Sequence, residues 1–199
     1  AMFGVWFLAG VTNRESIARI AIWLAAVTGL ATAGYTAFLF GQAKGRTLWN
    51  SPVLVWHMIA AAFTVGGGIS LLASLVSDVD RAASSGAALS SGGISVGVGS
   101  FALTMLVGAT GLGITALLES RTNHGPDAAA AYHHLTEGTF AREYRIGLVL
   151  ATLVPAACAV AVLGGLPVAI GAAGGVVGAI GVGLTDDAFV KAGQSVPLT

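Results

Sequence analysis

The chain has 199 residues, 55% of them hydrophobic and only 9% charged; it carries 29 glycines, and its nine basic and nine acidic residues cancel to a net charge of zero. Soluble domains carry about a quarter charged residues, so this composition belongs in a lipid bilayer, and the lack of a basic surplus gives no ground for a nucleic-acid partner. A single cysteine, Cys158, excludes an intrachain disulfide framework and a CxxC metal site.

At the amino end, "AMFGVWFLAGVTNRES" has neither the basic start nor the cleavage site of a signal peptide; the abrupt beginning suggests a partial chain. Four stretches then lack Asp, Glu, Lys and Arg: Ile20 to Leu39 with its neighbours, Pro52 to Ser77, Ile94 to Leu118, and Ile146 to Leu184. About 20 apolar residues cross the hydrocarbon core as a helix, so the first three are one span each and the fourth is too long for one. Gly164, Gly165, Leu166 and Pro167 supply a turn that divides it. The predicted spans are therefore 18–41, 52–77, 94–118, 146–163 and 166–184 in a single transmembrane domain. Long uninterrupted apolar runs lack the alternation of a barrel, which makes this an all-α integral membrane protein. Gly108 and Gly111, then Gly171, Gly174, Gly175, Gly178 and Gly181, stand at helical spacing and predict close helix packing.

Five alternating spans divide the basic residues unequally. Arg14, Arg19 and Arg81 fall on one side; Lys44, Arg46, Arg121, Arg142, Arg145 and Lys191 fall on the other. The positive-inside rule makes the second side, with the carboxyl terminus, cytoplasmic.

That second side also gathers most of the polar chemistry. Tyr35 lies near the end of the first span, Gln42, Lys44, Arg46 and Trp49 in the following loop, and His57 about one and a half turns into the next helix, roughly 8 Å along it. Glu119 ends the third span, Arg145 starts the fourth, and Asp186 and Asp187 follow the fifth. The opposite face holds the spacer "DVDRAASSGAALSSGG" and a glycine turn. Trp49, Tyr35 and Lys44 read as interfacial anchors, and His57 as a hydrogen-bonded core histidine or a functional one. Glu119 and Asp186 either face water at helix ends or are drawn between helices, where a carboxylate must pair or protonate and typically serves a proton relay. A haem held by two histidines is not expected, since only His57 lies in a span while His124, His133 and His134 follow Glu119. No metal site is expected at His133 and His134; "AAAAYHHLTEG" reads as a surface helix.

Three segments in order, "YTAFLFGQAKGRTLWNSP" followed by "WH", "LLESRTNHGPDAAAAYHHLTEGTFAREYRIGLVLATLVPA" and "FVKAGQSVPLT", resemble the NrfD/polysulfide reductase membrane-subunit family. The resemblance implies a haem-free subunit of a respiratory oxidoreductase in a prokaryotic inner membrane. Such a subunit exchanges electrons with a menaquinone or ubiquinone pool beside a ferredoxin-like iron–sulfur subunit, often with a molybdopterin catalytic subunit. It implies a two-bundle architecture of about eight helices, of which this chain matches the carboxyl-terminal part, with much of the quinone pocket in the amino-terminal bundle. Carried onto this sequence, the motifs single out Tyr35, Gln42, Arg46, Trp49, Glu119 and the run Ala192, Gly193, Gln194. Where the family commonly has Glu ahead of the last motif, this chain has Asp186 and Asp187. The expected mechanism is a cytoplasmic proton route through Tyr35, His57, Glu119 and Asp186, with Arg46 holding a neighbouring carboxylate charged. A passive membrane anchor and a small transporter are the alternatives.

Overall fold

The computed structural model describes residues 15–43, 47–76, 89–91, 94–122 and 125–196. Among the described residues, five helices are long and apolar enough to cross a membrane: α1 (Glu15–Gly41), α2 (Leu54–Val76), α3 (Val98–Arg121), α5 (Ala141–Leu163) and α6 (Val168–Ser195). A shorter helix, α4 (Pro126–Thr136), links α3 to α5, and a 3-10 turn, Thr47–Asn50, precedes α2. The all-α expectation holds for every span. The two short antiparallel strands, β1 (Leu89–Ser91) and β2 (Ile94–Val96), pair with each other in the connection between α2 and α3.

Helices α2, α3, α5 and α6 form a four-helix bundle in which each packs on its two neighbours and scarcely meets the diagonal one; α1 lies outside, against α2. The bundle is sorted by size. Its interior is small, with Ala102, Ala109, Ala151, Ala159 and Ala172 almost fully buried, while Trp23, Phe38, Trp56, Ile69, Val107, Leu117 and Leu153 point outward. Lipid tails are as apolar as leucine, so helices associate through close packing rather than hydrophobic burial, and large side chains lose nothing by facing lipid. One close approach is between α2 and α6: a Cβ on Gly68 would lie 2.5 Å from the Gly175 Cα. Gly108, Gly171, Gly174, Gly178 and Gly181 are buried as the spacing predicts.

The turn between α5 and α6 forms at the predicted residues. Gly165 has φ of +92°, a left-handed value that glycine adopts without steric cost. Its N–H donates to Val162 O at 3.0 Å, and that of Leu166 donates to Ala161 O at 3.0 Å. This pair of bonds is a Schellman motif, and Pro167 then stands as the cap before α6.

Several helix ends depart from the sequence expectation. The third span begins at Val98 rather than residue 94, because Ile94 to Val96 are taken by the strand pair. The fourth begins at Ala141, five residues before 146, with Glu143 in its first turn, where the positive end of the helix dipole favours a carboxylate. The fifth does not stop at Leu184 but continues to Ser195. Asp186 and Asp187 look like a helix end by charge, yet no breaker follows them. Lys191 Nζ reaches Asp187 Oδ2 at 2.6 Å, one turn on, and Ala188 and Ala192 pack against Leu48, Ala131 and Leu135.

The Gly68 contact yields a direct test. Gly68→Ala should lower stability by about 1 to 3 kcal/mol through overpacking, whereas Gly113→Ala, with nothing within 4 Å of the added methyl, should be neutral or slightly stabilising. Unfolding in detergent, followed by circular dichroism, measures both; equal stability of the two variants would contradict the close helix approach.

Candidate functional site

Where α1 ends, α2 begins, α3 ends, α5 begins and α6 ends, the bundle carries a roof. It is built from α4 and the 3-10 turn: Leu48, Ala131, Leu135, Ala188 and Ala192 are buried together, flanked by Trp49, Tyr132, Phe140, Tyr144 and Phe189. Helix α4 forms as a surface-type helix over the predicted run, with Pro126 in its first turn and Gly125 before it. Arg145 Nη2 donates to Thr136 O at 2.7 Å, satisfying a carbonyl at the carboxyl end of α4.

Beneath this roof is a cavity lined on one side by Ser51, Leu54 and His57, on another by Thr115 and Glu119, and on a third by Thr185 and Asp186, with Tyr144 and Leu135 closing it. About 40 Å³ is open to water centres, room for roughly two or three waters. Two side-chain pairs organise it. His57 Nε2 and Asp186 Oδ1 are 3.1 Å apart, joining α2 to α6; with the carboxylate ionised, the imidazole N–H donates. The Ser51 hydroxyl donates to Glu119 Oε2 at 2.5 Å, joining the start of α2 to α3.

The two carboxylates differ in access. Glu119 is 8% exposed, so it is drawn between helices rather than left in water at the helix end, whereas the Asp186 side chain is 36% exposed. Its continuation inside α6, rather than beyond it, is what turns Asp186 toward His57. His57 itself lies in the first turn of α2, three residues after Leu54, and so sits nearer the polar face than the one and a half turns expected. On α4, burial and then the charge of Glu119 hold the Tyr132 phenol above its ordinary range.

The remaining motif residues fall elsewhere. Tyr35 is 57% exposed on α1 and does not line the cavity, so the structure brings together His57, Glu119 and Asp186 but not Tyr35. Trp49, expected as an interfacial anchor, is half-buried and held against the protein. Its ring meets Phe40 edge-on with centroids 5.3 Å apart, and its Nε1 abuts Gly193 on α6, where a Cβ would collide with it. The glycine of the last motif thus makes room for the tryptophan of the first. Gln42 and Gln194 are exposed at the ends of α1 and α6, and Lys44, Arg46 and His124 lie outside the described residues. His133 Nδ1 is 3.3 Å from Glu137 Oε2 on the exposed side of α4, and among the described residues no three metal-ligating side chains converge.

Sequence reasoning missed Ser51, Thr115, Tyr144 and Thr185. A serine just before Pro52 and the apolar run is a helix-start signal, and it points to the backbone: Ser51 Oγ accepts the Val53 N–H at 3.2 Å. Its second bond, across to Glu119, depends on tertiary packing.

No curated protein and no solved structure matches the chain. The family profile of polysulphide reductase NrfD matches residues 2–185, nearly the whole sequence. With five membrane-crossing helices arranged as described, the chain belongs to the polysulphide reductase NrfD family, a family of multi-pass membrane subunits of quinone-linked oxidoreductases.

Proposed function

We propose that this chain is a proton-handling membrane subunit of a quinone-linked respiratory oxidoreductase, and that the cavity holding His57, Glu119 and Asp186 takes up or releases protons at one membrane face. The observation that carries this reading is the pairing of two carboxylates from different helices, with a histidine and a serine, inside one small cavity. A passive anchor gains nothing from drawing Glu119 between helices, because desolvating a carboxylate costs several kcal/mol before its partners compensate. Quinone reduction consumes two protons and quinol oxidation releases two, so groups that exchange protons with an aqueous face serve either direction.

Deeper in the bundle, Thr64 donates to Ala60 O at 3.0 Å and Thr152 to Leu148 O at 2.6 Å, each satisfied within its own helix. Beyond them, the Gly68 and Gly175 backbones meet and fully buried Leu71 and Met105 fill the core. This supports local exchange with one face over passage across the bundle. The six-to-three bias in basic residues supports a cytoplasmic assignment for that face. The electron partner consistent with the family is a ferredoxin-like iron–sulfur subunit, with a molybdopterin subunit as the terminal catalyst and menaquinone or ubiquinone as substrate, in a prokaryotic inner membrane. Tyr35 has no part in the cavity as we assign it, and Arg46 lies outside the described residues.

In the assembled complex, Glu119→Gln and Asp186→Asn should each slow quinone-linked turnover by about tenfold or more, the scale of a lost acid–base group, while leaving subunit assembly intact. Turnover at the wild-type rate in both variants would leave only an anchor. A separate measurement reports on the charge of Glu119. Because that charge helps to hold the Tyr132 phenol above its ordinary range, Glu119→Gln should move the alkaline titration midpoint of Tyr132 downward, as read by NMR of ring-labelled tyrosine. An unchanged midpoint would contradict the electrostatic contact between Glu119 and Tyr132.

A further inference from the structure

Outside the cavity, a second and larger depression lies between the end of α1 and the start of α2. It offers about 450 Å³ and is lined by Phe38, Gln42, Trp49, Asn50, Ser51 and Val55 among others. Gln42 and Asn50 are exposed polar residues in a lining that is otherwise largely apolar, and the groove opens at the membrane end where the helices terminate, which is where we take water to enter it. Ser51 lines both this groove and the cavity. It stands between them with its hydroxyl hydrogen committed to Glu119 Oε2 at 2.5 Å and one oxygen lone pair to the Val53 N–H at 3.2 Å. A hydroxyl oxygen has two lone pairs, which leaves one for a water in the groove.

We propose that Ser51 is the gate through which Glu119 exchanges protons with the water of the groove, separately from Asp186. The inference rests on the reading of the cavity as a proton-exchanging site. Asp186 is open enough to meet water directly, whereas Glu119 is buried and meets the groove through Ser51. The transfer balances: a hydronium in the groove gives its proton to the Ser51 oxygen while the serine's own hydrogen passes to Glu119. Water, a neutral hydroxyl and a neutral carboxylic acid remain. The reverse sequence returns the proton. Ser51 ends an inward transfer with its hydrogen turned toward the groove, and the reverse transfer, or rotation of the hydroxyl, turns it back to Glu119.

The titratable groups lining the cavity with Glu119 are His57 on α2, Tyr144 on α5 and Asp186 on α6, and Tyr132 on α4 feels its charge. All of them remain in a Ser51→Ala variant. Removing the serine hydroxyl breaks the link between Glu119 and the groove, so Ser51→Ala should change the pH profile of quinone-linked turnover and reduce the rate by about tenfold. Ser51→Thr, which keeps the hydroxyl, should restore both. In a Cys158→Ser background, Gln42→Cys should react with a charged, membrane-impermeant thiol reagent, and turnover should fall on labelling. Wild-type rate and pH profile in Ser51→Ala, beside a slow Glu119→Gln, would overturn the gate and leave the proton-handling site standing. Failure of Ser51→Thr to restore the rate, or reaction of Gln42→Cys only with lipophilic reagents, would also overturn it. Full activity in Glu119→Gln beside a slow Asp186→Asn would overturn the gate alone, and full activity in both would remove both proposals together.

Discussion

The architecture depends on how closely its helix backbones approach. At Gly68 and Gly175 the Cα atoms of α2 and α6 come near enough that no side chain fits between them, and the alanines of the interior extend the same economy of volume. In a bilayer this contact replaces the expulsion of water as the source of cohesion. It also fixes how each helix is rotated about its axis. That rotation decides which polar residues turn inward, so the cavity is a consequence of glycine placement well below it. A wider bundle would separate His57 from Asp186 and Ser51 from Glu119, leaving two carboxylates without the partners that make their burial tolerable.

The polar face is further braced by the link between the first and last family motifs. Trp49 leans on Phe40 at one end and Gly193 at the other, so the connection after α1 is tied to the last turns of α6. Those extra turns carry Asp186 into the bundle. Helix α4 then covers the assembly through Leu135 and Tyr132, keeping Glu119 away from bulk water while Asp186 stays partly open. Two acids of one cavity thereby acquire different access to solvent, the asymmetry on which the proposed proton exchange draws.

Much of this was legible in the sequence, for identifiable reasons. Span number and order follow from apolar length and charge, which need no tertiary information, and the glycine–proline turn announces itself through backbone constraints. The gathering of His57, Glu119 and Asp186 at one membrane face follows from alternation alone. Helix ends were less visible: Asp186 and Asp187 mimic a boundary, and Ile94 to Val96 are as suitable for a strand as for a helix. Rotation about the helix axis was not visible at all. Tyr35 lies at the right depth yet points outward, because among the described residues α1 meets the bundle mainly through α2. Ser51 reads as a helix-start residue, and only the packing of α3 against α2 gives it Glu119 as a partner.

The most direct test of the account is infrared difference spectroscopy of the assembled complex as quinol is added, because protonation of a buried carboxylate appears as a new carboxylic C=O band. The account predicts such a band, lost in Glu119→Gln and displaced when the Ser51 hydroxyl is removed. A spectrum without carboxylic signals, or with signals indifferent to residue 119, would contradict it.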